Sequence, residues 1–200
     1  FEQFSGNVGN VLGITESELL SNVRTIQARN QIADAELGAN LAHWVIDDPV
    51  NGLSRSCPHF TVEMETGTGK TYVYLRTIME LAKKYGYKKF VVVVPSVAIR
   101  EGTLKSIEQT KEHLLTLYNE PVDSFVYDSK NVNRLRQFAS SNSVEIMVIN
   151  IQAFVKGYEQ NPDGAEDESG NVIYRRSDKL SGKRPIDYVH AARPVVIIDE

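Results

Sequence analysis

The sequence predicts an α/β domain with a mainly parallel sheet and helices on both of its faces. Two observations carry this. Strand-length apolar runs alternate with helical patterns through most of the chain, and one of those runs, Phe90–Val94, is apolar on both sides, with Val144–Ile149 reading as another buried strand. A strand with no polar side belongs in the middle of a sheet covered on both faces, which is the parallel arrangement. Alternation of strands and helices then implies an open sheet with right-handed crossovers.

The elements follow in order. A helical pattern runs from Val8 to about Trp44, with Thr15 as cap before Ser17-Glu18-Leu19-Leu20 and with Ile14, Leu19, Val23 and Ile26 as apolar positions. The cluster Asp47-Asp48-Pro49-Val50-Asn51-Gly52 is turn chemistry and closes this prelude, so the expected division is a helical segment over 1–52 and a second domain over 53–200. In that domain Phe60–Met64 reads as a short strand. Lys70–Tyr85 reads as a helix with Tyr74, Ile78, Leu81, Ala82 and Tyr85 on one face, and Gly86 stops it. After the Phe90–Val94 strand, Ser96 caps a helical stretch holding Leu104, Ile107, Leu114 and Tyr118, with Gly102 expected to break its first turn. Phe125–Tyr127 is a strand, Val132–Phe138 a helix, Val144–Ile149 a buried strand and Val195–Ile198 a last apolar run. Between these two strands, residues 157–193 read as a long loop insertion with a small hairpin around Val172–Tyr174, because Asn161-Pro162-Asp163-Gly164 and Glu166-Asp167-Glu168-Ser169-Gly170 are loop sequences.

Composition narrows the class. With 200 residues, 42% of them hydrophobic, the chain can fill a sizeable core. A single cysteine, Cys57, excludes an internal disulfide, and four scattered histidines give no zinc-ligand spacing. No apolar run approaches the ~18 residues of a membrane span and no signal-peptide layout opens the chain, so the expected setting is cytoplasmic, without a membrane. The net charge of −4 argues against nonspecific adhesion to DNA. Two basic groups stand out, one of Lys83, Lys84, Lys88, Lys89, Arg100 and Lys105, the other of Arg175, Arg176, Lys179, Lys183 and Arg184. Each is most simply a solvated rim.

The chemistry concentrates in Met64-Glu65-Thr66-Gly67-Thr68-Gly69-Lys70-Thr71, placed between an expected strand and an expected helix. Gly67 and Gly69 permit backbone conformations closed to other residues, so that amide N–H groups, including those of Thr66 and Thr68, converge on phosphate oxygens. Lys70 is the cation for the β- and γ-phosphates of ATP, Thr71 offers a hydroxyl to Mg²⁺, and the helix start adds its dipole. The strict pattern has a glycine where this chain has Met64. The complement is Asp199-Glu200 at the end of the last apolar strand: Asp199 for the Mg²⁺ water shell and Glu200 as base for the attacking water.

These residues resemble a superfamily 2 helicase motor, a P-loop NTPase with a RecA-like domain, and more narrowly the restriction (Res) subunit of type III restriction–modification systems. The resemblance rests on residues 64–74 (METGTGKTYVY), 93–102 (VVPSVAIREG), 127–129 (YDS), 146–154 (IMVINIQAF) and 197–200 (IIDE), and extends from about Val23 to the last residue. It implies that Pro95, Ser96, Ile99, Arg100 and Gly102 face the backbone of double-stranded DNA. A serine hydroxyl, backbone amides and an arginine beyond the carboxyl end of a central strand suit phosphates. It makes Gln27 a candidate adenine-reading residue. It also implies a methyltransferase (modification) subunit as partner, and a second motor domain and a nuclease domain in the parent chain beyond Glu200. Three functions are thereby set side by side: the ATP-hydrolysing motor module of a restriction endonuclease, a helicase or remodelling ATPase that does not cut, and a nucleotide-binding switch.

Overall fold

Helix α1 (Glu16–Arg29) begins where Thr15 closes a capping box: its hydroxyl accepts the Glu18 N–H at 3.3 Å and the Glu18 carboxylate takes the Thr15 N–H at 2.8 Å. The Thr15 N–H, and with it the Thr15 hydroxyl that donates to the same carboxylate at 2.8 Å, hold the Glu18 carboxyl below its usual range. This is a computed structural model, and it describes residues 9–32, 43–48, 53–155 and 172–199. The described residues fall into two compact units, 12–68 in one and 9–11 with 69–199 in the other.

In the first unit the helical pattern expected as far as Trp44 ends at Arg29. Trp44 lies instead in strand β1 (His43–Asp48), paired antiparallel with β2 (Leu53–Pro58) so that His43 stands opposite Pro58 and Asp48 opposite Leu53. Asp47 and Asp48 therefore finish a strand rather than start the turn. The run His-Trp-Val-Ile has the aromatic and β-branched character that favours extended backbone over helix. The expected strand at Phe60–Met64 is not formed: residues 59–65 carry no regular structure, and Phe60 and Val62 are exposed. A strand is defined by its ladder, and this segment pairs with no described neighbour.

The second unit is the expected α/β layer structure. Helix α2 (Lys70–Tyr85) ends at Gly86, whose φ of 73° lets its N–H return to the Ala82 carbonyl. Strand β3 (Lys89–Val94) is buried at every position. Helix α3 (Val97–Tyr118), β4 (Val122–Val126), helix α4 (Asn133–Ser140), β5 (Val144–Asn150) and the short helix α5 (Gln152–Val155) follow. Helix α6 (Pro185–Ala192) and β6 (Val195–Ile198) complete it. The sheet order is β4-β5-β3-β6 and every pairing in it is parallel. Alternate β3 residues serve opposite faces. Phe90, Val92 and Val94 pack with Leu75, Ile78 and Ile107 of α2 and α3, whereas Val91 and Val93 pack with Leu135 and Phe138 of α4 and Val189 of α6. Helices on both faces follow from this two-sided apolar strand.

Further expectations need correction in this unit. Gly102 does not break α3, which runs through it; the Thr103, Ile107, Leu114 and Tyr118 face is buried, and that burial outweighs the ~1 kcal/mol helix cost of one glycine. Tyr85 is exposed, and the buried face of α2 is Leu75, Ile78, Met79 and Ala82. The stretch expected as loop through Arg193 contains α6 from Pro185 on, and Val172–Tyr174 is a 3₁₀ turn rather than a hairpin. Pro185 at the first turn, and Asp187 bonding back to the Arg184 N–H at 2.9 Å, start α6 in the way a helix start requires. The acidic loop sequence at 161–170 lies outside the described residues. No described helix is long and apolar enough to cross a membrane.

Candidate nucleotide site and motor face

The glycine-rich segment consists of a turn and a helix start. In the turn, the Thr68 hydroxyl donates to the Glu65 carbonyl at 2.6 Å, and Gly67 has φ 80°. Gly69, φ 88°, heads α2 without any side-chain cap, and its carbonyl accepts the Val73 N–H at 3.0 Å. Both φ values lie in the left-handed region, where a Cβ is strained whatever the room around it. A Cβ at either glycine would meet nothing within 4 Å, so the glycines answer a backbone demand and the space beside them is open. The leading amides of α2 have no capping side chain, which is the arrangement a helix start presents to an anion.

At the other end of the candidate site, the Asp199 N–H donates to the Val93 carbonyl at 2.9 Å and continues the β3–β6 ladder by one residue. Asp199 thus stands at the carboxyl end of the sheet, half-buried. Glu200 lies outside the described residues. What joins the two ends is Tyr74, which the sequence pattern offered only as an apolar helix position. Its hydroxyl oxygen is buried, and the side chains of Thr71, Thr103 and Asp199 face it. Burial pushes the phenol pKa up; the Thr103 and Thr71 hydroxyls oppose that rise and the Asp199 carboxylate adds to it. Among the described residues no three His, Cys, Asp or Glu side chains gather as a metal site. A magnesium bound largely by phosphate oxygens and waters needs only one or two protein oxygens, and the Thr71 hydroxyl with the Asp199 carboxylate fits that donor set.

The segment after β3 is also at the carboxyl end of the sheet. Ser96 caps α3, its hydroxyl accepting the Ile99 N–H at 3.3 Å. The Pro95 carbonyl accepts from Gln152 Nε2 at 2.8 Å, and Arg100 Nη1 donates to Asn150 Oδ1 at 3.3 Å. Arg100 also holds Glu101 at 2.9 Å. These bonds tie the ends of β3 and β5 together and leave Ile99 and Gly102 exposed. Gln27 sits half-buried on α1 in the 12–68 unit.

The first basic group is not one surface. Lys89 is wholly buried against Glu145, Lys88 pairs with Glu120 at 2.8 Å, and Lys84 pairs with Glu80 at 2.7 Å.

The family profile described as type III restriction enzyme, res subunit, matches residues 25–200. The chain belongs to this family. Among curated Res subunits it is similar to that of EcoP15I from Escherichia coli, 26% identical over 94% of this chain and 19% of the relative. The Res subunit of EcoPI from Escherichia phage P1 matches with the same identity and coverage. That of StyLTI from Salmonella typhimurium is 32% identical over 70% of this chain and 15% of its own length. This chain therefore spans about a fifth or less of the length of the Res subunits it matches. The matched region of the Res family contains the glycine-rich segment, the Pro95–Gly102 segment and Asp199 together, and omits most of the stretch before α1 ends.

Proposed function

We propose that this region is the ATP-binding motor module of a Res subunit, coupling ATP hydrolysis to movement or communication along double-stranded DNA before cleavage. The observation that carries the reading is the convergence of Thr71, on the first turn of α2, and Asp199, at the end of β6, around one buried tyrosine hydroxyl, directly after two left-handed glycines. Residues 53–200 are then the motor and 1–52 its prelude, with Gln27 as the adenine-reading candidate. A cytoplasmic setting and a modification-subunit partner belong to the same proposal.

ATP with Mg²⁺ supplies a γ-phosphoryl group open to attack by water, its charge partly neutralised by the cation. The chain's part is positioning and electrostatics. Lys70 neutralises phosphate charge, the α2 amides and those of Thr66 to Gly69 donate to phosphate oxygens, and Thr71 with Asp199 holds the cation's shell. Glu200 accepts the proton of the attacking water. Pro95, Ser96, Ile99, Arg100 and Gly102 form the DNA-facing strip, with Ser96 and Arg100 as its phosphate donors.

Lys70→Ala tests this in the full-length Res subunit. Loss of DNA-stimulated ATP hydrolysis is expected. Turnover at the parent rate with normal Mg²⁺ dependence would refute the phosphate-loop assignment.

A further inference from the structure

Tyr74 occupies a position at which phenylalanine would serve packing equally well. Its ring lies against the core of Leu75, Ile78, Phe90 and their neighbours, and it stands three and four residues after Thr71 and Lys70, on the same helix face. The hydroxyl is the anomaly. Its oxygen is shielded from solvent and has no hydrogen-bond partner among the described residues. A polar atom in that condition destabilises the folded chain unless something completes its bonding.

The groups that face it decide what that completion is. From α2 there is the Thr71 hydroxyl, from α3 the Thr103 hydroxyl, itself 3% exposed, and from the end of β6 the Asp199 carboxylate. Asp199 is the sole pure acceptor of the three, and its backbone is already fixed by the bond to Val93. A phenol is a donor near neutral pH. The geometry points to Tyr74 as a positioning residue: we propose that its O–H donates to one oxygen of the Asp199 carboxylate when Mg²⁺ and nucleotide bind, turning the other oxygen toward the cation's water shell. The carboxylate already faces the phenol oxygen, and the Asp199 backbone bond to Val93 holds the end of β6 in place. Thr103 then keeps the phenol oxygen in place from the α3 side.

This inference rests on the nucleotide-site reading and is testable apart from it. In the full-length subunit, binding of a non-hydrolysable ATP analogue is measured with Mg²⁺ and with EDTA, for the parent, Tyr74→Phe, Asp199→Asn, the double variant and Lys70→Ala. Tyr74→Phe is expected to raise the Mg²⁺ concentration for half-maximal binding roughly tenfold, the scale of a lost hydrogen bond to a charged group, and to leave binding in EDTA as in the parent. In the Asp199→Asn background the same change is expected to have no further effect. A Tyr74→Phe protein with parental Mg²⁺ dependence overturns the inference, as does an equal loss with and without Mg²⁺, which would mark a packing defect. If Lys70→Ala also binds as the parent does, the failure belongs to the nucleotide-site reading instead. A second readout needs no variant at position 74. The ¹³Cζ resonance of Tyr74 should shift when Mg²⁺ joins the analogue complex of the parent and stay in place in Asp199→Asn, and an identical shift in both proteins would overturn the proposal.

Discussion

Lys89 Nζ lies 2.6 Å from Glu145 Oε2, between side chains that are 0% and 1% exposed on neighbouring strands where the two residues stand in register. The ammonium also donates to Ser141 Oγ at 2.7 Å and to the Ser143 carbonyl at 3.2 Å, and the carboxylate takes Arg134 Nη2 at 3.2 Å. Burial pushes the Lys89 amine down in pKa, and Glu145 opposes it. Removing one member leaves an uncompensated buried charge. Lys89→Met is therefore expected to cost about 3–5 kcal/mol, and Lys89→Met with Glu145→Leu to recover most of that, since Arg134 keeps Asp123 as a partner. Urea unfolding of the three proteins measures it. A Lys89→Met loss below about 1 kcal/mol would show that the pair is hydrated in solution.

The Tyr127 phenol gives a pH dependence. Its hydroxyl is buried without a partner among the described residues, and burial, reinforced by the Asp128 carboxylate, pushes its pKa up to about 12 from 10.0. The folded state thus holds this proton more tightly than the unfolded chain does. The stability linked to it is fully present below pH ~10 and lost as pH rises toward ~12. Tyr127→Phe should be at least as stable as the parent at pH 8, since it removes an unsatisfied hydroxyl, and should lose less stability between pH 10 and 12. Urea midpoints across that range test the sign, and parallel declines in both proteins would rule it out.

The legible part of the fold was the part with local causes. Helix α2 keeps its bounds because a lysine after a glycine-rich turn and a stop glycine mark its ends, and the Phe90–Val94 run of β3, apolar on both sides, can lie only inside a sheet. Thr15 as the cap of α1 was legible for the same reason. What escaped depends on partners far along the chain. Asn10 accepts the Lys88 and Lys89 N–H groups at 2.8 and 3.1 Å and donates to the Lys89 carbonyl at 2.7 Å, so an early loop residue clamps the start of β3. Gly9 beside it is required because a Cβ would come within 2.6 Å of the Ala191 carbonyl. No local pattern announces either. Helix α6 escaped because six of its eight residues are buried, which leaves too narrow a polar face to display a helical period. Of the candidate site, the positions of Lys70 and Thr71 at the start of α2 and of Asp199 just after β6 were legible by type and spacing. Tyr74 and Thr103 were not, because their polar groups matter only through the fold that brings α2, α3 and β6 together.

Arg100 is held by Asn150 and Glu101 at the carboxyl end of the sheet, which orients its guanidinium without burying it. If it contacts a DNA phosphate, Arg100→Ala in the full-length subunit weakens DNA binding and lowers the slope of log K against log salt by about 1, with ATP affinity in the absence of DNA unchanged. Titrations at several salt concentrations decide it. An unaltered slope would leave Arg100 as a tie between β3 and β5 only.

The two carboxylates that close the chain should separate by function. Asp199 is anchored by its backbone bond to Val93 and shares its surroundings with Thr71, a placement suited to a cation's shell. Glu200, the next residue, is the proposed base. Replacing a cation ligand weakens the bound state itself, whereas replacing a base leaves the ground state intact and removes a proton acceptor needed only in the transition state. Glu200→Gln in the full-length subunit is accordingly expected to bind Mg²⁺ and ATP within a few-fold of the parent while hydrolysing about 10²–10⁴ times more slowly. Asp199→Asn should instead show both a raised Mg²⁺ requirement and slow turnover. Single-turnover hydrolysis and equilibrium nucleotide binding, run over a Mg²⁺ series on both variants, distinguish the two roles. Should Glu200→Gln hydrolyse at the parent rate while Asp199→Asn keeps normal Mg²⁺ binding and loses turnover, Asp199 is the base and Glu200 has no part in the proton transfer.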